Sequence, residues 1–286
     1  MRNIKIIFSL ILATLGRHRE VDEFLKSILD QEFKLNYIEI IIVDQNTDGI
    51  LDSIVKKYID LGLNIKHIKS TLKGVSSNRN LGTQLAQGVF FGFPDDDCTY
   101  YKNTLKIVYD LFDCDPGIDF LLGRVYDRSL HKKIIRNWPD ENKIITKYNF
   151  FFLYSMITVF TKKTVLFDEN FGGGSRFPAY EDADYVHELV KNGYVGLYSA
   201  KIDIWHPQLN IKAMPNAKIN NYGFGFGAFC KKNKSFYFRF LLISSIFRHL
   251  FGLFWSILML NHVSFQKRLI SIKSRLYGWL LYHKYK

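Results

Sequence analysis

Two apolar runs with a helical stretch between them restrict this chain to one class of fold. Ile4 to Leu12 is apolar apart from Lys5 and Ser9, and Tyr37 to Val43 is a second such run that ends at Asp44. A strand buried on both faces reads as a near-continuous apolar run. Between them, Glu20 to Gln31 places Val21, Phe24, Leu25, Ile28 and Leu29 at helical spacing. Strand, helix and strand make a βαβ unit, which requires a parallel pair and a sheet covered on both sides. The alternation continues with a helix over Gly49 to Leu61, a short strand over Asn64 to Ile68, and a helix opened by Lys73 to Gly82. At 286 residues the chain holds one large domain, or one domain with an appendage. Its 48% of hydrophobic and 16% of aromatic residues exclude a disordered protein.

That last helix delivers the chain to Val89-Phe90-Phe91-Gly92-Phe93, which is followed by Pro94, Asp95, Asp96, Asp97 and Cys98. Two unit charges about 4 Å apart repel by about 4 kcal/mol near a protein surface, so three adjacent carboxylates need a reason. One reading is a solvated acidic turn. The other is a divalent cation: Mg²⁺ and Mn²⁺ take hard oxygen ligands, commonly one or two carboxylates together with a substrate's phosphates. In open α/β sheets, ligands sit beyond the carboxyl ends of the strands. Thr14, Asp44 and Asp95 to Asp97 all fall just past such ends, and this convergence on one crevice favours the cation.

Further along, Tyr101 to Phe112 reads as a helix and Ile118 to Gly123 as extended, while Arg124 to Lys147 is irregular and mixed in charge. Ser155 to Phe160 is expected to be a strand. Gly172, Gly173 and Gly174 then mark a loop that uses backbone conformations closed to other residues. Glu181-Asp182-Ala183-Asp184 opens a helix with Tyr185, Val186, Leu189 and Val190 on its apolar face and Asn192-Gly193 as its stop. Acidic residues in a first helical turn also have a purely structural use, since they complement the helix dipole. Tyr194 to Tyr198 and Lys201 to Trp205 are expected as two short strands, the second ending at His206-Pro207.

Cys98, Cys114 and Cys230 are odd in number and lack metal-ligand spacing, which excludes a disulfide framework and a zinc site and fits a reducing, cytoplasmic setting. The N-terminal segment is rich in Ile and has no small-residue cleavage site, so it reads as a first strand and not as a signal peptide. Charge divides the chain. The first 203 residues hold 26 basic and 27 acidic side chains, whereas the remainder holds thirteen basic and none acidic.

The order of these motifs resembles glycosyltransferase family 2, whose members are inverting enzymes of the GT-A fold that use nucleotide-activated sugars. The matching pieces are the strand ending at Thr14, the Ile41 to Gly49 stretch and the Gly74 to Gly82 stretch. They continue with Asp95-Asp96-Asp97 where the family has its DxD motif, the glycine loop before Glu181-Asp182, His206, and Tyr222 to Phe229. The resemblance implies an α/β, Rossmann-like mixed sheet flanked by helices. It implies that Thr14 and Asp44 hold base and ribose, that Arg79 lies near the diphosphate, and that Asp96 contacts the ribose or donor sugar. Asp95 and Asp97 would position Mn²⁺ or Mg²⁺, with His206 as a further ligand, and Asp182 would be the catalytic base. Gln45 departs from the acidic residue common there, and the residues near Phe224 and Phe226 also differ from the family's usual ones.

The expected activity is transfer of a sugar from a UDP- or dTDP-sugar to a glycan or a lipid-linked glycan such as an O-antigen or capsule repeat. A catalytic domain is expected over residues 1–230 and a basic, amphipathic helical extension over 231–286. In that extension the uncharged runs Phe240 to Phe247 and Leu250 to Leu260 are each short of the roughly 20 residues needed to span a bilayer. They fit helices lying on an anionic membrane, on the inner face of the cell membrane. Packing on the catalytic domain and contact between copies of the chain are two further uses of the tail. No nucleic-acid module is recognisable. Two other readings remain at this stage: a metal-dependent nucleotidyltransferase, and a non-catalytic membrane-surface protein with a degenerate nucleotide site.

Overall fold

A computed structural model describes residues 5–208 and 213–282. Ile4 of the first run, and Lys212, Lys284 and Lys286 of the basic tail, lie outside the described residues. The first part alternates as β1 (Phe8–Thr14), α1 (His18–Leu29), β2 (Ile38–Asp44), α2 (Ile50–Asp60), β3 (Asn64–Lys69), α3 (Val75–Leu85) and β4 (Phe90–Gly92). Then come β5 (Thr99–Tyr100), α4 (Thr104–Cys114), β6 (Phe120–Asp127), β7 (Lys132–Lys133), β8 (Lys143–Ile145) and a one-turn α5 (Phe150–Leu153). β9 (Val159–Thr161), α6 (Glu181–Lys191) and β10 (Gly196–Trp205) follow, and three helices end the described chain: α7 (Asn216–Lys232), α8 (Phe236–Leu258) and α9 (His262–Leu281).

The strands form one mixed sheet in the order β3-β2-β1-β4-β9-β6-β10-β5, with β7 beside β6 and β8 beside β10. β3, β2, β1 and β4 are parallel, β9 runs antiparallel between β4 and β6, and β10 is parallel to β6. This is the mixed α/β, GT-A-like architecture expected from the sequence. Leu10, Ile11, Ile41 and Ile42 are fully buried, as strands covered on both faces require. Glu39 is buried among them and is paired. It accepts hydrogen bonds from Ser9 Oγ (2.5 Å) and the Gln87 N–H (2.5 Å) and pairs with Lys66 Nζ at 2.8 Å. Burial pushes its pKa up, but these partners outweigh burial and leave it below the usual carboxylate range. On α3, a Cβ at Gly82 would collide with Ile11, so glycine lets this helix lie close on β1.

Three stretches differ from the sequence reading. Met156–Thr158 is a 3₁₀ turn and only Val159–Thr161 is strand, because Thr158 bonds back to the Ser155 carbonyl through both its N–H (3.1 Å) and its hydroxyl (2.9 Å). The two short strands expected after Tyr194 are one strand, β10, whose pairing with β6 shifts register between Tyr198 and Asp203. The stretch from Arg124 contains β7 and β8, and β6 itself runs on to Asp127. Arg124 and Arg128 are tolerated there because both pair with Asp203, at 2.8 and 2.9 Å.

The chain divides into two compact units, residues 1–167 with 185–209 and residues 168–184 with 210–286. The first contains the sheet. In the second, Gly172 (φ 102°) and Gly174 (φ 81°) take the left-handed conformations expected of that loop. Phe177 packs on Phe224 and Tyr282 at ring distances of 5.2 and 5.7 Å. Lys232 at the end of α7 pairs with Asp168 (2.9 Å) and Asp184 (2.6 Å). The tail's arginines do not interrupt its helices: α8 is a single helix of 23 residues, long and apolar enough to cross a membrane, since Arg is a good helix former.

Candidate functional site

The parallel register brings the polar groups together. Thr14 and Asp44 are direct cross-strand partners at the carboxyl ends of β1 and β2. β4 pairs with the other edge of β1, so the turn after it carries Asp95, Asp96 and Asp97 to the same end. Thr14 Oγ1 donates to Asp96 Oδ2 at 2.9 Å. His206, just beyond β10, places Nε2 3.3 Å from Asp97 Oδ1. One ligand atom each from Asp95, Asp97 and His206 lies within 4.8 Å of the other two. Two carboxylate oxygens and an imidazole nitrogen suit a divalent ion such as Mn²⁺.

Arg79 projects from α3 into this cluster, its side chain only 3% exposed, and donates to Asp95 Oδ1 at 2.5 Å. Its guanidinium also lies 5.5 Å from the centre of the Phe167 ring, which stacks on Tyr185 at 4.3 Å. Arg17, in the loop after β1, pairs with Asp97 and has Nε 3.5 Å from Asp96 Oδ1. Arg17 is not among the site residues expected from the sequence. A cation three residues past the end of β1, at the strand ends where the three carboxylates gather, was the signal available.

Burial separates the three carboxylates. Asp96 is pushed up to about 6 by burial, which Arg17 and Thr14 only partly offset. Burial acts on Asp97 as well, but the hydrogen bonds and charges of His206 and Arg17 outweigh it and hold Asp97 at about 2. In return, although burial disfavours its charge, His206 is raised above its ordinary value by Asp97.

A second group of possible ligands is Asp44, Asp52 and His67. Here a lysine already supplies the positive charge: Lys69 Nζ is 2.8 Å from Asp44 and 2.6 Å from Asp52. Asp44 is fully buried and also accepts from the Asn46 N–H and side-chain amide (2.8 Å each) and contacts His67 at 2.9 Å. These partners hold its pKa below the usual range against the effect of burial. Asp182, in the second unit, stands in the first turn of α6, where its Oδ1 accepts from the Ala183 N–H at 2.8 Å. Two residues earlier Tyr180 is held at φ 75°, unusual for a bulky residue, with its ring against Phe226 (5.2 Å) and Phe229 (5.8 Å).

Comparison with known proteins bears on the family and the fold. Poly(ribitol-phosphate) beta-N-acetylglucosaminyltransferase TarS of Staphylococcus aureus is 26% identical over 167 residues, which is 57% of this chain and 28% of TarS. The minor teichoic acid biosynthesis protein GgaB of Bacillus subtilis is 27% identical over 234 residues, 76% of this chain and 25% of GgaB. The chain therefore spans only about a quarter of the length of these two relatives. Among solved structures, S. aureus TarS in complex with UDP-GlcNAc matches with a TM-score of 0.55 at 18% identity, covering 77% of this chain and 66% of that one. Mannosyltransferase PcManGT from Pyrobaculum calidifontis, in complex with GDP-Man and Mn²⁺, matches with a TM-score of 0.64 at 12% identity over 98% and 88% of the two chains. At such identities the structures speak for the fold. The sequence profile described as Glycosyl transferase family 2 matches residues 9–182, more than half of the chain, and the chain belongs to that family.

Proposed function

We propose that this chain transfers a sugar from a nucleoside diphosphate donor to a hydroxyl of a glycan or lipid-linked glycan, with inversion at the anomeric carbon. The observation that carries this reading is the meeting of Asp95, Asp97 and His206 with Thr14 and Arg79 at the carboxyl ends of the strands. Asp95, Asp97 and His206 would hold Mn²⁺ or Mg²⁺, Thr14 and Asp44 the base and ribose, and Asp96 the ribose or donor sugar. A divalent ion, when bound, supplies charge neutralisation for the departing nucleoside diphosphate. Arg79 adds a charge-assisted donor to the same phosphate oxygens. As the acceptor oxygen bonds to the anomeric carbon, the bond from that carbon to the phosphate oxygen breaks, and Asp182 takes the acceptor's proton. A positioned base of this kind typically contributes about 10²- to 10⁴-fold. One displacement at one carbon inverts it.

UDP is favoured over dTDP by the UDP-GlcNAc complex of the TarS fold. The acceptor in this reading is a cell-surface polymer. The names of TarS and GgaB concern poly(ribitol-phosphate) and teichoic acid, which supports a phosphate-containing polymer alongside the O-antigen or capsule repeat. In this reading the catalytic domain covers residues 1–230. Residues 231–286 are its basic extension, beginning where α7 gives way to α8, and they keep the enzyme on the inner face of the cell membrane. Calorimetry of UDP and dTDP with and without Mn²⁺ tests the donor site. Metal-dependent binding of one of them is expected, and the reading fails if neither binds.

A further inference from the structure

Beyond Leu242, α8 packs on α9 with its polarity reversed; Phe238 and Leu242, earlier on the same face of α8, are buried apolar residues. At steps of four, three and four residues, Ser245, His249, Gly252 and Ser256 form one face of α8, the spacing at which a water-exposed helix pair places its apolar seam. They meet the equivalent face of α9. Arg275 Nε donates to Ser245 Oγ at 2.9 Å, Ser271 Oγ lies 3.2 Å from His249 Nε2, and Ser256 Oγ donates to Ser264 Oγ at 2.9 Å. Gly252 leaves the space that the Arg268 guanidinium fills. On α9, Gly278 lets the helix approach the Phe224 carbonyl of α7 closely. The opposite face of α8 carries Phe240, Phe247, Phe251, Phe254 and Leu258, each between 57% and 71% exposed.

In water the reverse arrangement is the stable one, with the phenylalanines inside. In lipid, helix contacts are made by small and polar residues, and the apolar faces meet acyl chains. Charge identifies the kind of lipid. No acidic residue follows Asp203, and the thirteen cations beyond it complement anionic head groups. Arg239 and Arg248 are exposed about a quarter turn to either side of the phenylalanine stripe, where their long side chains reach the interface. α8 is long enough to span, yet exposed Arg248 stands near its midpoint, a position that disfavours a charge at the bilayer centre. A second copy of the chain is a poor cover for this face, since pairing two stripes would bring four arginines together with no carboxylate from either tail.

We propose that the Phe240–Leu258 face of α8 lies in the plane of an anionic bilayer, among its acyl chains, with Arg239 and Arg248 on the lipid phosphates. This deepens the membrane placement given above and rests on that part of the proposed function; it does not depend on the donor site. The test is flotation of the full chain with vesicles of phosphatidylcholine alone and of phosphatidylcholine mixed with phosphatidylglycerol. The chain is expected to float with the anionic vesicles. Phe247→Asp/Phe251→Asp is expected to weaken that binding at least about tenfold, and Arg239→Gln and Arg248→Gln about fivefold each, with unchanged circular dichroism. Failure of the unaltered chain to float, or flotation of Phe247→Asp/Phe251→Asp equal to it, overturns the proposal. A dimer in lipid-free buffer that the same two substitutions dissolve also overturns it in favour of a second copy. UDP binding measured on the same samples keeps the two readings apart, because loss of UDP binding with flotation intact sinks only the donor site.

Discussion

In β1 and β2 the buried side chains include Leu10, Ile11, Ile41 and Ile42, and the polar groups gather where the strands end; between α8 and α9 the buried seam holds Ser245, Gly252, Ser256 and Ser271, and Phe240, Phe247, Phe251 and Phe254 lie outside. The difference teaches where chemistry has room. A parallel sheet covered on both faces leaves its polar residues only the strand ends, apart from paired exceptions such as Glu39 with Ser9 and Lys66. Side chains from residues as distant as Arg17 and His206 therefore collect around one triplet of carboxylates. In the helical pair the polar groups are used up in holding the helices together, and what is left outward is a surface.

The largest effect is expected at the carboxyl ends of the strands. Asp97→Ala removes a carboxylate that pairs with both Arg17 and His206, and metal-dependent donor binding is expected to disappear in calorimetry. Asp182→Asn should keep donor binding and lower transfer by about 10²- to 10⁴-fold; retained turnover would remove Asp182 as the base. Stability should divide along the same line. Ile41→Ala opens a cavity in the sheet core and is expected to cost about 2–5 kcal/mol, whereas Phe251→Ala, on the outward face of α8, is expected to stay within about 0.5 kcal/mol in lipid-free buffer. Equal losses for the two in chemical denaturation would break the contrast.

The sheet was legible because its signal is local. Apolar runs and helical periodicity over Val21 to Ile28 and Leu51 to Tyr58 fix β1 to β3 and their helices to within a few residues. Thr14, Asp44 and Asp95 to Asp97 could be grouped because strand order and direction alone bring them to one end. What escaped depends on contacts made across the chain. Lys69 closes Asp44 from 25 residues away, Arg17 reaches Asp97 across 80, and Lys232 ties Asp184 across 48. β6 could not be followed past Gly123, because Arg124 and Arg128 look like surface charges until Asp203 is placed between them. The reversed polarity of α8 and α9 was hidden for a related reason. A hydrophobic count registers the phenylalanines but not which face the serines and glycines occupy.

The smallest predicted change in ligand binding at the site concerns the two acidic groups at the carboxyl edge, Asp44 with Asp52 and Asp95 to Asp97. Each has a basic residue at its opening, Lys69 in one case and Arg17 in the other. Asp44 carries three further partners and is fully buried, so removing Lys69 would leave a charge that the remaining partners only partly balance. Arg17 is 42% exposed and, as a cation, competes for the oxygens that Mn²⁺ would use. A half-exposed ion pair is worth about 0.2–1 kcal/mol, so Arg17→Ala should tighten Mn²⁺ binding by up to about fivefold in the absence of nucleotide. Should Arg17 also hold the donor's diphosphate, UDP would bind more weakly in the same variant while Mn²⁺ alone binds more tightly. Titration of Mn²⁺ with and without UDP separates the two effects. Weaker Mn²⁺ binding by Arg17→Ala in the absence of nucleotide would mean that the arginine orders the carboxylates and does not compete for them.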